Sequence, residues 1–360
     1  MRKIKAIIKD LLSNFLYNAQ RNKQVIADKP SDVHLHVTDD CCLKCKMCDI
    51  WKLKEKQRNL DYKTATKIIN KLVKWLNNNF KLTFAGGEPF LNKDFIKIID
   101  YAHKKGIKTS TNSNAYLIDR TLAKKIVKSG LTQIFLSVDG LEKEHNFIRG
   151  RQDSFQRITK AINYLNEEKT TKNSPTIFIN TVISNNNYTQ IKKIIYFAKK
   201  AKVSGINFQA IMPNFASDYK KDWFKSNPFW PKNKEKAVKV IEELIQLKNK
   251  QPDFILNSTL DLKNIKKFFE NPELFQETEK CSVGFNNFMI DTTANMRLCY
   301  EMGTIGNILE ENPEKIWQSK KANLHRKKIV KCQRPCKLLP CNNLQIINWL
   351  KRYFKSFGKR

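Results

Sequence analysis

No apolar run in this 360-residue sequence approaches the ~18 residues that a membrane-spanning helix requires. The opening stretch, MRKIKAIIKDLLSNFLYNAQ, does not look like a secretory signal either, because charge interrupts its apolar residues every few positions. A cytosolic protein is expected. Acidic residues are scarce: 34 Asp and Glu face 67 Lys and Arg, for a formal net charge of +33. Such an excess prompts a nucleic-acid reading. Here the lysines spread over nearly every predicted helix with abundant Asn beside them, which reads as a compositional bias and a solvated basic surface. Nucleic acid is therefore not the expected partner, although a field of this size attracts anions of many kinds. Low-complexity tracts are absent, and the only internal repetition is an alternation of strand-like and helix-like segments. Disulfide staples are not needed, since 41% hydrophobic residues can build one large domain with a smaller one appended. The nine cysteines are odd in number, and in a reducing compartment clustered cysteines serve more often as metal ligands or catalytic groups than as disulfides.

The alternation begins at residue 32. DVHLHVT (32–38) reads as a strand by its period of two, and a helix follows Asp61, an N-cap, with Ala65, Ile68, Ile69, Leu72, Val73 and Leu76 on one face. Strands are expected at 80–85, 107–112, 132–138, 176–183 and 206–212. Helices are expected between them, two of them closed by Gly106 and Gly130. Strands separated by helices imply parallel pairing, in a sheet that either closes or stays open. After Pro213 the pattern breaks into an aromatic loop with Phe215, Trp223, Phe224, Phe229 and Trp230, then a helix over about 233–250. At the two ends, Ile4 to Leu16 and Ile346 to Phe357 form apolar stripes beside Lys and Arg. Such helices pack on the body of a protein or rest on an anionic membrane surface.

Four of the nine cysteines fall within VTDDCCLKCKMCDIWK, directly after the first strand. Cys41, Cys45 and Cys48 have the spacing C-x3-C-x2-C and would lie at the C-terminal edge of the sheet, where parallel α/β folds bind ligands. Three thiolates on one short loop suit three irons of a [4Fe-4S] cluster and leave the fourth iron open. The rival readings are a zinc site that includes Cys42, or plain reduced thiols. Cys42, Cys45 and Cys48 would also make a C-x2-C-x2-C register. At the next strand end, TFAGGEPFLN offers Gly86 and Gly87 for close backbone approach to a ligand, Glu88 as an acceptor, and Pro89 to fix the turn.

On these residues the chain resembles the radical S-adenosylmethionine (SAM) enzymes. The C-x3-C-x2-C loop and GGEP match that family's motifs, and TNSN (111–114), SVDG (137–140) and HNFIRGRQDSF (145–155) resemble its later stretches. The resemblance covers roughly residues 30–215 and implies an α/β fold, a partial (β/α)6 TIM-like barrel with a small cysteine-rich α+β extension. It implies that Cys41, Cys45 and Cys48 hold a [4Fe-4S] cluster whose open iron binds the amino and carboxylate groups of SAM. Gly86, Gly87, Glu88 and Pro89 would lie along the methionine moiety, with Asn112 at the end of the third strand also among the cofactor-binding residues. Ser137 and Asp139 would adjoin the SAM ribose and carboxylate, and Arg149 or Arg151 the carboxylate. Cys42 stands where the family usually has another residue, and the family spacing keeps Cys41 as the ligand.

Five cysteines remain: Cys281, Cys299, Cys332, Cys336 and Cys341. In a chain of this kind they resemble the auxiliary-cluster extensions called twitch and SPASM. Five rather than about seven cysteines favour one auxiliary [4Fe-4S] cluster, with Cys281, Cys299 and Cys336 as ligands and Cys332 or Cys341 as the fourth. A zinc ribbon is the rival. The expected divisions are 1–30, a basic amphipathic helix; 31–215, the barrel; 216–280, a helical and aromatic connector; 281–343, the auxiliary domain; and 344–360, a second basic helix. The resemblance implies cleavage of SAM to a 5′-deoxyadenosyl radical that abstracts a hydrogen atom from a peptide or protein, with an electron donor such as flavodoxin or ferredoxin. The alternatives are a sugar or lipid-linked substrate at a membrane surface, or an iron-sulfur or zinc protein that binds RNA.

Overall fold

The computed structural model describes residues 26–52, 58–169, 174–213 and 219–339. The apolar stripes Ile4 to Leu16 and Ile346 to Phe357 lie outside these residues, as do Phe215 and Cys341.

Six strands alternate with helices: β1 (Asp32–Thr38), β2 (Lys81–Gly86), β3 (Lys108–Ser113), β4 (Gln133–Ser137), β5 (Thr176–Ile183) and β6 (Gly205–Ala210). Each pairs in parallel with the next, in the order β6-β5-β4-β3-β2-β1, so the sheet is an open partial barrel. Within β1 the period of two is exact in its consequence: Val33, Leu35 and Val37 are fully buried on the helix side, while Asp32, His34 and His36 are half-buried on the other. Helix Tyr62–Leu76 shows why the coverage is stable. Asp61 caps its N-terminus by accepting from the Thr64 N–H at 2.9 Å, and Ala65, Ile68, Ile69, Leu72, Trp75 and Leu76 face inward. Each large apolar side chain so buried contributes ~1.5–3 kcal/mol.

The cysteine-rich extension does not hang from the barrel by a linker. Its strand β7 (Asn287–Ile290) pairs in parallel with β1, β8 (Asn295–Arg297) runs antiparallel to β7, and β9 (Gly306–Asn307) antiparallel to β8, which makes one nine-stranded sheet. Trp75 from the barrel meets Phe288 and Trp317 from the extension with ring centroids 5.8 and 6.4 Å apart. The opposite edge is also covered. Ile206 on β6 bridges to Ile255, and the Asn257 side chain exchanges hydrogen bonds with the backbone of Phe208 at 2.7 and 2.8 Å. An edge strand left bare would invite pairing with another chain. The aromatic loop is ordered where it is described: Trp230 packs on Phe268 and Phe269 of helix Thr259–Glu270, and Trp223 and Phe224 pack on Trp230.

Candidate functional site

The loop 39–48 leaves β1 at the C-terminal edge of the sheet, and its path is set by backbone contacts. The Gly87 N–H donates to the Thr38 carbonyl at 3.1 Å, and the Glu88 N–H to the Asp40 carbonyl at 2.7 Å. A Cβ on Gly86 would stand 2.0 Å from the Thr38 carbonyl oxygen, and one on Gly87 2.0 Å from that of Asp40. The glycine pair therefore admits the backbone of the cysteine loop itself, a closer demand than the ligand approach expected from the sequence. Pro89 opens the short 3-10 turn Pro89–Leu91 that follows.

Glu88 is 1% exposed. Its carboxylate accepts from the Ser113 hydroxyl and the Asn114 N–H, each at 2.8 Å, and from the Phe90 N–H at 3.3 Å. Burial outweighs these bonds and pushes its pKa up to about 7. Glu88 thereby ties the end of β2 to the turn after β3. Asn114 at that turn carries its side-chain nitrogen to 3.8 Å from the Cys41 sulfur and 3.6 Å from that of Cys42. Asn112, the residue favoured on sequence, is exposed on β3. Within TNSN it is Asn114 that the turn brings to the thiols, because the alternation of side chains at a strand end is not visible where the strand stops.

Helix Glu142–Arg149 docks behind the loop. The Lys46 N–H donates to the Ile148 carbonyl at 2.8 Å, and the Lys46 ammonium lies 3.6 Å from the Phe147 ring centroid. Gly150 ends the helix at φ 70°, and a Cβ there would stand 2.7 Å from the Lys44 carbonyl oxygen. Arg149, 8% exposed, pairs through Nη2 with the wholly buried carboxylate of Asp139 and points Nη1 at the Cys45 sulfur, 3.7 Å away. Arg151 is elsewhere: it is exposed, with its guanidinium 5.1 Å from the Tyr116 ring.

Cys45 is 7% exposed, and Cys41, Cys42 and Cys48 are half-buried reduced thiols. Burial raises the Cys48 thiol, and the charges of Cys45 and Cys41 raise it further. For Cys45, burial again raises the pKa first, Arg149 opposes it, and Cys41 adds to the rise. Cys42 instead hydrogen-bonds Cys41 and senses Glu88 and Asn114. The Cys41 charge thus acts on both Cys45 and Cys48, while the Cys41 thiol itself answers first to its hydrogen-bonded neighbour Cys42 and then to burial, both of which raise its pKa. In the extension, burial pushes Cys281 up to about 12, with Cys299 and Cys332 adding to it. Cys332 and Cys336 both act on Tyr219. Arg334 lies between them in sequence, pairs with Glu301 at 2.8 Å and stacks 4.4 Å from the Tyr219 ring. Among the described residues, no three Cys, His, Asp or Glu side chains converge on a single ion position. Thiolates that each hold a different iron of a cluster have no need to converge.

The sheet face away from the helices carries a polar row beside these loops. Ser137, Asn180 and Asn207 stand in register, and the Asn207 side chain donates to Asn180 at 2.7 Å. Phe135 and Phe178 stack below them at 5.0 Å. On β1, His36 Nε2 and the Tyr300 hydroxyl lie 2.5 Å apart, which joins the barrel to the residue after Cys299. Burial, with the charges of His34 and Arg297, lowers the pKa of His36 to about 4. Asn180 and Asn207 escaped the sequence reading, although a polar residue inside the apolar run TIFINTVI was a signal for Asn180.

An open parallel half barrel with clustered thiols on the loop after its first strand defines an iron-sulfur protein of the α/β class. The family described as the Radical SAM superfamily matches residues 35–209, and an iron-sulfur cluster-binding domain, SPASM, matches residues 281–342. The chain belongs to the radical SAM superfamily. With that membership go a [4Fe-4S] cluster, SAM, and iron-sulfur ligation in the C-terminal domain. An Fe-coproporphyrin III synthase of Methanosarcina barkeri is 30% identical over 150 residues, 40% of this chain and 36% of that protein. An S-adenosylmethionine-dependent nucleotide dehydratase of Lacinutrix mariniflava is 28% identical over 256 residues, 69% of this chain and 52% of that one. The chain spans about half the length of the curated relatives it matches. In fold it is similar to Streptococcus suis SuiB, solved with its precursor peptide SuiA. There the TM-score is 0.64 at 18% identity, covering 88% of this chain and 72% of that one.

Proposed function

We propose that this protein is a radical SAM enzyme in which Cys41, Cys45 and Cys48 hold a [4Fe-4S] cluster that SAM binds, and which takes a hydrogen atom from a peptide or protein. The observation that carries the reading is the crowding of these thiols on one loop at the C-terminal edge of β1, where the Cys41 charge acts on both Cys45 and Cys48; Cys41 is kept over its hydrogen-bonded neighbour Cys42 on the C-x3-C-x2-C spacing. When both groups are bound, the reduced cluster supplies the splitting of SAM into methionine and the hydrogen-abstracting 5′-deoxyadenosyl radical. The chain supplies position. Gly86 and Gly87 seat the cysteine loop, and Glu88 holds the turn that brings Asn114 to it. Ser137 stands on the open face with Asn180 and Asn207, where it suits the ribose or the substrate. Four of Cys281, Cys299, Cys332, Cys336 and Cys341 would hold one auxiliary cluster.

The peptide reading draws on the likeness to SuiB and on the open, amide-lined sheet face. Sequence similarity to a nucleotide dehydratase over 69% of this chain favours a second reading, a small-molecule substrate. Anaerobic reconstitution with iron, sulfide, dithionite and SAM should yield 5′-deoxyadenosine, and Cys41→Ser or Cys45→Ala should abolish it while Cys42→Ser retains it. Formation of 5′-deoxyadenosine by Cys45→Ala at the wild-type rate would refute the assignment. Extract from cells grown in deuterated medium, divided by size, separates the substrate readings: deuterium should pass into 5′-deoxyadenosine from the peptide and protein fraction, and transfer from the small-molecule fraction alone would favour the second.

A further inference from the structure

Among the described residues, Arg149 is a buried cation with an unusual set of neighbours. Its Nη2 is held by Asp139, its Nη1 lies 3.7 Å from the Cys45 sulfur, and its Nε is buried with no partner. Asp139 is itself fixed from three sides. Its carboxylate accepts from the Val182 N–H at 2.8 Å, its own N–H donates to His145 Nδ1 at 3.2 Å, and its carbonyl accepts from Asn187 at 3.0 Å. The guanidinium is therefore clamped by β5, the turn after β4 and its own helix, and is aimed at one sulfur. Asp139 and Cys45 take two of the five guanidinium N–H donors, so the contact with the Cys45 sulfur stands whether or not a remaining donor meets the SAM carboxylate, the role the resemblance suggested.

We propose that Arg149 is a positioning residue that sets the reduction potential of the cluster at Cys41, Cys45 and Cys48, through a charged hydrogen bond to the Cys45 sulfur. This rests on the ligand assignment above. Reduction adds one electron to the cluster and its thiolates, so a fixed positive charge and an N–H directed at a ligand sulfur stabilise the reduced state and raise the potential. Arginine suits the place because it keeps its charge when buried. Asp139 opposes the effect by its charge and makes it durable by its geometry.

The test is a redox titration of the reconstituted full-length protein, followed by electron paramagnetic resonance, with the relevant signal identified by its change on adding SAM. The double variant Asp139→Asn, Arg149→Gln removes both charges and leaves no lone buried ion. Its reduction equilibrium should move at least tenfold toward the oxidised state, ~59 mV for one electron, with SAM affinity within about threefold of wild type. Asp139→Asn alone keeps the arginine and should move the equilibrium the other way. An unchanged potential in both variants, with iron content intact, would overturn the proposal. So would a tenfold loss of SAM affinity at unchanged potential, which would return Arg149 to the SAM carboxylate. If the wild-type protein itself assembled no SAM-responsive cluster, the ligand assignment would fall instead.

Discussion

Glu88 illustrates how a residue named by a motif acquires its physical meaning from its neighbours. The sequence offered it as an acceptor for a ligand; the structure has it accepting three hydrogen bonds from the turns after β2 and β3, in a place from which water is excluded. Burial raises its pKa to about 7, above the ordinary carboxylate value. The folded state then holds the proton more tightly than the unfolded one, so the contribution of Glu88 to stability is full below about pH 4.5 and is lost as pH rises to about 7, by up to ~3 kcal/mol. Denaturant titrations of wild type and Glu88→Gln across this range should show a difference that depends on pH, with the variant flatter. A constant difference would mean that Glu88 does not titrate there. Asp139 and Arg149 make the companion case: SVDG and HNFIRG were legible as motifs, but that the two face each other behind Cys45 was not.

At the scale of elements, the stretch 145–155 is best understood as a strap for the cysteine loop. Lys46, Phe147, Ile148 and Gly150 make the contact through backbone and ring, so little of it depends on conspicuous side-chain chemistry. Gly150→Ala should cost ~1–2 kcal/mol for the left-handed backbone alone, and more for the 2.7 Å approach to the Lys44 carbonyl. Its signature should be local: reconstituted iron content should fall by more than global stability does, because the loop that the helix supports is displaced. Helix Tyr62–Leu76 provides the contrast. Ile68→Ala there should cost ~2–5 kcal/mol by leaving a cavity, measurable in chemical denaturation, with the cysteine loop intact. The boundaries of β1 and of helix Tyr62–Leu76 were readable to within a residue or two, since the period of two in β1 and a cap such as Asp61 act locally, whereas helix Glu142–Arg149 was not read as an element.

The whole molecule is bound by a single sheet that runs from β6 to β9, with the extension joined to the barrel through β1 and β7. Barrel and extension should therefore unfold together. Calorimetry should show one transition, and Trp317→Ala, which removes the ring shared by Trp75 and Phe288, should lower the stability of that transition by ~3–5 kcal/mol. Two separate transitions would show that the β1–β7 pairing is not cooperative. Iron analysis belongs to this scale as well: one cluster in each part predicts about eight irons per chain, and about four irons with one zinc would restore the zinc ribbon. The sequence by itself determined the class of the fold, the thiol loop and the family, because strand and helix periods, caps and C-x3-C-x2-C spacing are local patterns. Only the tertiary structure decided that Asn114 rather than Asn112 comes within reach of the Cys41 and Cys42 sulfurs. It also decided that Asp139 and Arg149 meet behind Cys45, and that the extension continues the sheet at β1. Each of these depends on residues far apart in sequence brought together by strand pairing, and pairing order is a property of the whole chain.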